Sequence, residues 1–401
     1  MNKPRLLYAS PFPPRRSGVS DYSKVLVQGL KEHFQITLLL DDDTLEGSEL
    51  RHDFQRLTYR AGQIDFRSFD HVLYNIGNNQ GFHAYIYDAF LSYPAPVILH
   101  DFILYYLTVG YYQASPLLYS RLYELGGAAA VSAVKDCRKS GGNPLTFPHP
   151  QEFPLNGEIL RQAPLLFVHS RYAMDRVIKA GAREVRQIAM VDMSNQTATP
   201  TPGTAPEASS SYLAQRFGIP EEALVLASLG LIQSTKQNQV ICRVLPALQK
   251  LTSRTIYYVM AGEGNHADEY LSDRIIKTGY LDTVAYEAVL ARSNVVANLR
   301  HPSMGETSIS LIHAMSAGKA CLVSDQAWFA ELPRHAVIKI PHRDPEAEIP
   351  TILGPYLQGD KDLNRVGEAA RAYVREHHDL ARIAATITSG LMECPLPADR
   401  P

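Results

Sequence analysis

The stretch from Asn298 to Asp325, NLRHPSMGETSISLIHAMSAGKACLVSD, restricts the folds open to this chain more than any other segment. An apolar run from Asn294 to Leu299 reads as a buried strand and turns through Pro302 and Gly305. Thr307 and Ser308 are both suited to cap a helix whose apolar residues, Ile309, Leu311, Ile312, Ala314 and Met315, recur at helical spacing. Gly318 closes that helix, and Ala320 to Ser324 reads as the next buried strand. Strand, helix and strand in about thirty residues form a βαβ unit, which places the chain in the α/β class with a parallel sheet.

The pattern recurs. Arg5 to Ser10 precedes a Pro-rich loop containing Gly18 and a helix to about Glu32, with Ser20 or Asp21 as its expected cap. Further apolar runs span Ile36–Leu40, His71–Ile76, Pro96–His100, Leu165–Val168, Val185–Val191, Leu224–Leu229 and Tyr257–Ala261. At 401 residues the chain suits two domains. The segment SNQTATPTPGTAPEASSS, from Ser194 to Ser211, has almost no large apolar residue and separates two halves of the same character. The expected division is a domain over 1–195, a linker or surface loop over 196–215, a second domain over 216–378, and a closing helix and tail over 379–401.

Composition excludes several classes. A formal net charge of −2 leaves no nucleic-acid footprint, and no apolar run reaches the length of a membrane span. Met1 to Ser10 runs straight into a strand without a signal-peptide core, so a cytoplasmic protein is expected. Cys137, Cys242, Cys321 and Cys394 lack metal-ligand spacing and read as reduced thiols.

In an open parallel sheet ligands bind beyond the carboxyl ends of the strands, and a helix N-terminus there attracts phosphate. Gly305, Thr307 and Ser308 meet that description, as does the loop around Gly18, where Arg15 and Arg16 add charge or are simply solvated. Glu306 would repel a phosphate unless it faces sugar hydroxyls or a developing cation; alternatively it only complements the helix dipole. His100 and Asp101 stand at a strand end, as either a site pair or a histidine satisfied by backbone. Asp41-Asp42-Asp43 offers an Asp-x-Asp metal pattern or a solvated turn. The segment Phe102 to Leu125, with Tyr105, Tyr106, Tyr111, Tyr112, Tyr119 and Tyr123, fits helix core, a sugar-stacking platform or a membrane interface. Gly126 to Pro154 reads as a helix followed by a mobile loop.

The stretch around Glu306 resembles the donor site of the retaining GT-B glycosyltransferases of family 4, written Glu, seven residues, Glu, then Ala-Met-Ala-x-Gly-x-Pro. His313-Ala314-Met315-Ser316-Ala317-Gly318-Lys319 carries the second half. The first Glu falls on Gly305, with Glu306 one place later as in a Gly-Glu-Thr-Ser branch, and the second falls on His313. The resemblance implies two facing Rossmann-like domains with a deep interdomain cleft. It implies a glycosyltransferase moving a sugar with retention from a nucleoside-diphosphate sugar to a glycan, lipid-linked or other hydroxyl acceptor in polysaccharide or glycoconjugate assembly.

The same resemblance implies residue roles. Glu306, His100 and Lys236 would carry the reaction. Gly18, Gly230, Lys236, Gly262, Gly305, Glu306, Thr307, Ser308 and His313 would bind the donor, and Gly279 to Asp282 would lie beside its base. Leu231 stands where the family has an Arg, and Arg300 is the candidate replacement. Asp101, Arg171 and Tyr105 would lie on the acceptor side. No cofactor and no metal are implied. An exposed tyrosine face would suit a lipid-linked acceptor and peripheral attachment at the inner membrane face. Leu231 and His313 suggest one alternative, a non-catalytic GT-B binder of sugar nucleotides; the other is a GT-B sugar-nucleotide epimerase, which would consume a donor without any acceptor.

Overall fold

The computed structural model describes residues 3–42, 44–45, 48–196 and 206–394. Of these, the residues within Met1–Val191, Met304–Thr307 and Leu380–Pro401 form one compact unit, and those within Asp192–Ser303 and Ser308–Asp379 form the other.

In the first unit the strands are β1 (Arg5–Ala9), β2 (Gln35–Leu40), β3 (Gln55–Thr58), β4 (His71–Ile76), β5 (Val97–Leu99), β6 (Leu166–Val168) and β7 (Val185–Gln187). They pair in parallel in the order β3-β2-β1-β4-β5-β6-β7. Register runs from Arg5 opposite Gln35 to Ala9 opposite Leu39 on one side of β1, and Leu6 lies opposite His71 on the other. Both faces of such a sheet are covered, which is why Leu6, Leu7, Tyr8 and Ala9 are all fully buried in succession.

The covering helices are α1 (Gly18–Leu30), α2 (Ser48–Asp53), α3 (Gln80–Ser92), α4 (Tyr105–Tyr112), α5 (Leu118–Lys139), α6 (Gly157–Gln162) and α7 (Arg171–Lys179). The cap of α1 is Ser17, not Ser20 or Asp21: its Oγ accepts from the Ser20 N–H at 3.1 Å, so the helix opens earlier than its polar residues suggest. The stretch read as helix then loop after Gly126 is helical as far as Lys139, bent at Gly127 (φ 69°), and continues through short 3-10 turns at Pro144–Thr146 and Pro150–Glu152. Strand β7 stops at Gln187, short of the Val191 expected from its apolar run.

The tyrosine-rich segment is mostly core. Tyr105 and Tyr112 are buried, and Tyr106, Tyr111 and Tyr119 pack against the same cluster. Of the six, only Tyr123 is largely exposed, at 65%. Among the described residues no helix is long and apolar enough to cross a membrane.

In the second unit the strands are β8 (Leu224–Leu229), β9 (Ile256–Ala261), β10 (Ile275–Lys277), β11 (Val295–Asn298), β12 (Ala320–Ser324) and β13 (Ile338–Ile340), all parallel, in the order β10-β9-β8-β11-β12-β13. Its helices are α8 (Pro206–Phe217), α9 (Asn238–Gln249), α10 (Thr283–Arg292), α11 (Ile309–Ser316), α12 (Ala327–Glu331), α13 (Pro345–Gln358) and α14 (Leu363–His377). Helix α8 occupies part of the stretch read as a linker; residues 197–205 of that stretch, and Asp43 of the acidic run, lie outside the described residues. The last helix, α15 (Leu380–Glu393), belongs to the first unit, where Leu380 and Ala384 meet Gly29 of α1. In each sheet the strand order reverses beside the first strand, so crevices open at the carboxyl ends of β1 and β4, and of β8 and β11.

Candidate functional site

In the second unit the turns after β8 and β9 are locked together by glycine. Gly230 has φ +86°, and a Cβ on Gly262 would sit 2.2 Å from the Gly230 carbonyl oxygen. The backbone N–H groups of Gly230 and Ile232 donate to the carbonyls of Ala261 at 2.9 Å and Glu263 at 2.6 Å. The approach leaves no room for a side chain, and Gly264, whose own Cβ would meet the Ile232 carbonyl at 2.1 Å, belongs to the same device.

Lys236 ends the short turn Ser234–Lys236, half-buried, and its Nζ donates to the Leu229 carbonyl at 3.1 Å. The neighbouring Thr235 carbonyl accepts from the His301 N–H at 2.8 Å, which ties the lysine turn to the end of β11. Arg300 lies there. Its side chain is buried, with the guanidinium 6.0 Å from the centre of the Phe329 ring, and its backbone N–H donates to Ser324 Oγ at 2.9 Å. Leu231 is 48% exposed, so an apolar side chain occupies the surface where the resemblance implies a cation.

Helix α11 is capped by Ser308, whose Oγ accepts from the Leu311 N–H at 3.3 Å; Thr307 lies outside the cap. The cap satisfies one N–H and leaves the rest of the first turn available to an anion. His313, on the same helix, is buried, with Nε2 2.9 Å from Glu287 Oε1 and its ring stacked at 5.6 Å on Tyr286. Glu287, on α10, thus sets a carboxylate beside the position where the resemblance implies one. Beyond β10, Gly279 adopts φ +73° and Asp282 caps α10 through the Ala285 N–H at 2.8 Å, leaving Tyr280 and Val284 exposed.

The segment Met304–Thr307 packs in the first unit. The Met304 carbonyl accepts from the Ile103 N–H at 3.0 Å, and Gly305, at φ +84°, leaves a Cβ position only 2.6 Å from Phe102 Cβ. Glu306 Oε2 accepts from the Met304 N–H at 2.6 Å, so the carboxylate is oriented by its own loop.

Also in the first unit, Gly18 is the first residue of α1. Arg15 is committed to Asp41 and Asp42, at 2.5 and 2.7 Å, which offsets part of the negative charge at the end of β2. His100, at the end of β5, is buried with Nε2 3.2 Å from Asn75 Oδ1 and Nδ1 3.2 Å from His169 Nε2. Asn75 spends its amide on the Ala9 carbonyl at 3.3 Å, so its oxygen faces the ring: His100 carries its proton on Nε2 and accepts from His169 on Nδ1. Tyr22 stands edge-on to both imidazoles, at 4.8 and 5.2 Å. Burial, then the charges of His169 and His83, hold the His100 pKa well below the usual histidine range.

Asp101 Oδ2 accepts from the Asn78 N–H at 2.8 Å. Arg171 is exposed at the start of α7, whose cap is Ser170. Tyr105 is buried in the core, stacked 5.4 Å from Phe147. Asn75 escaped the sequence reading, although a lone amide inside an apolar strand was its signal.

Each unit has a doubly wound sheet, and the fold is that of the GT-B glycosyltransferases. Anabaena Alr3699/HepE, solved in complex with UDP-glucose, superimposes with TM-score 0.64 at 14% identity, covering 97% of this chain and 100% of that one. Sucrose-phosphate synthase from Thermosynechococcus elongatus gives 0.64 at 14% identity, with 98% and 99% covered. WaaG, a glycosyltransferase involved in lipopolysaccharide biosynthesis, gives 0.58 at 13%, with 96% and 99% covered. Residues 223–353, from the start of β8 into α13, match the family described as glycosyl transferases group 1. No curated protein matches the sequence.

Proposed function

We propose that this protein transfers a sugar, with retention, from a nucleoside-diphosphate sugar to a hydroxyl acceptor in glycan or glycoconjugate assembly. The observation that carries the reading is the group 1 glycosyltransferase match over residues 223–353, the segment in which the glycine-locked turns, Lys236 and the Ser308-capped helix lie at carboxyl ends of one sheet.

Charge builds on the leaving diphosphate as the glycosidic bond breaks. Lys236 and the α11 N-terminus would stabilise it as preoriented charge and dipole, without a metal ion. Arg300 would add a cation in place of the one absent at Leu231. Glu306 would orient donor hydroxyls. His100, with both ring nitrogens bonded within the protein, would shape the sugar pocket and not exchange protons. Among the described residues none offers itself as nucleophile, so transfer would proceed on one face of the sugar with the leaving phosphate as base. The acceptor would approach Asp101 and Arg171, and a cytoplasmic protein, free or attached to the inner membrane face, fits a lipid-linked one. Because HepE was solved with UDP-glucose, uridine donors are the first to test.

The test is to incubate the protein with UDP-, GDP-, ADP- and dTDP-sugars and a set of hydroxyl acceptors, following products by proton NMR. Acceptor-dependent transfer with retained anomeric configuration, unchanged by EDTA and lost in Glu306→Ala, is the expected result. Epimerised donor without an acceptor would make the protein an epimerase. Binding without turnover would make it a non-catalytic relative.

A further inference from the structure

At the amino ends of β8, β11 and β12 the second unit has a groove of about 1170 Å³, lined among others by Arg254, Arg292, Lys319, Tyr356 and Lys361. It lies at the opposite end of the sheet from the turn carrying Lys236. The six residues of β8 between them span about 20 Å at the usual strand rise.

The cations in this groove are crowded, and their side-chain hydrogen bonds go to carbonyls, not to carboxylates. Arg292 donates to the carbonyls of Pro220, Glu221 and Ala223 at 2.7 to 3.0 Å, and Arg254 to those of Glu222 and Ala223 at 2.8 and 3.3 Å. Lys319 Nζ donates to the Ala291 carbonyl at 2.5 Å. These acceptors are neutral. Among the described residues no carboxylate lies within ion-pair distance of Arg254, Arg292, Lys319 or Lys361. Of the three acids lining the groove, Glu287 is paired with His313, Asp362 accepts from the Asn364 N–H at 2.8 Å, and Glu221 acts on Arg292 from beyond ion-pair distance. Burial, followed by the charge of Arg254, lowers the pKa of Arg292 against the opposing pull of Glu221 and Glu222; burial, then Arg371 and Arg292, lowers that of Lys319. Helix C-terminal carbonyls account for where Lys319 sits, but not for three further cations gathered around one cavity.

We propose that this groove is a second anion site, for a phosphate-bearing small molecule. Arg254 supplies a guanidinium edge not spent on the carbonyls, and Lys319 retains ammonium protons after its one hydrogen bond. Lys361, poised 5.4 Å from the centre of the Tyr356 ring, brings a third cation beside an aromatic face on which a ring of the ligand can lie.

The experiment is titration calorimetry of inorganic phosphate and pyrophosphate, at fixed ionic strength, into wild type, Lys361→Ala, Arg254→Ala and, as a control for the donor site, Lys236→Ala. Lys361 is exposed, so its variant keeps the fold even if Arg254→Ala loosens the Pro220–Ala223 turn. Binding retained by Lys236→Ala but weakened at least about tenfold by Lys361→Ala, the loss expected for one charge-assisted contact, supports the site. Absence of binding to wild type, or binding abolished in Lys236→Ala and unchanged in Lys361→Ala, overturns it.

Discussion

Gly262 shows how much one missing Cβ can decide. Its substitution by Ala would drive a methyl to 2.2 Å from the Gly230 carbonyl, so the two turns must separate. We expect Gly262→Ala to cost about 1–3 kcal/mol, as overpacking of tight sites does, measurable as a fall in the denaturation midpoint. The buried histidines make a second prediction, on acidification. His83 is pushed by burial to a pKa of about 4, whereas in the unfolded chain it titrates near the ordinary 6.5. The unfolded state thus takes up a proton that the folded state refuses, and stability is complete above pH 6.5 and lost as pH falls towards 4. The loss attributable to His83 approaches about 3 kcal/mol at the bottom of that window. His100, displaced in the same direction, adds to it. Denaturant titrations at stepped pH check the slope, and a curve flat between pH 7 and 4.5 would contradict it.

Among the elements, α11 bears most on the proposed function. Ser308 contributes its cap, and Ser308→Ala should lower stability by about 1 kcal/mol. The same change should weaken any nucleotide bound at the helix N-terminus, read as a smaller melting shift at fixed ligand. How far each element could be read from the chain depended on whether its signal was local. Strands β1, β4, β8 and β12 announce themselves as largely apolar runs because both faces are covered, and Gly318 closes α11 through a φ of +72° that favours glycine. The α1 cap was misplaced because Ser17, Ser20 and Asp21 are all competent and only the backbone path chooses among them. The tyrosines of α4 and its surroundings were ambiguous because a phenol suits core and surface alike, and burial follows from partners distant in sequence. The pairing of His313 with Glu287, and of His100 with Asn75 and His169, was hidden for the same reason: each joins residues from different elements.

For the molecule as a whole, the two sheets share one topological rule, with the strand order reversing beside the first strand of each. That rule places the candidate donor residues Gly230, Lys236, Gly262 and Arg300 at carboxyl ends of a single sheet, as a nucleotide-binding unit requires. The most direct test is calorimetric titration of UDP, GDP, ADP, dTDP and their sugar conjugates into wild type and Lys236→Ala. One nucleotide should bind wild type, and Lys236→Ala should weaken it at least about tenfold, the worth of one lost charge-assisted hydrogen bond to phosphate. Equal affinity in the two proteins, or no binding of any of these nucleotides to wild type, would contradict a diphosphate-sugar site built around Lys236.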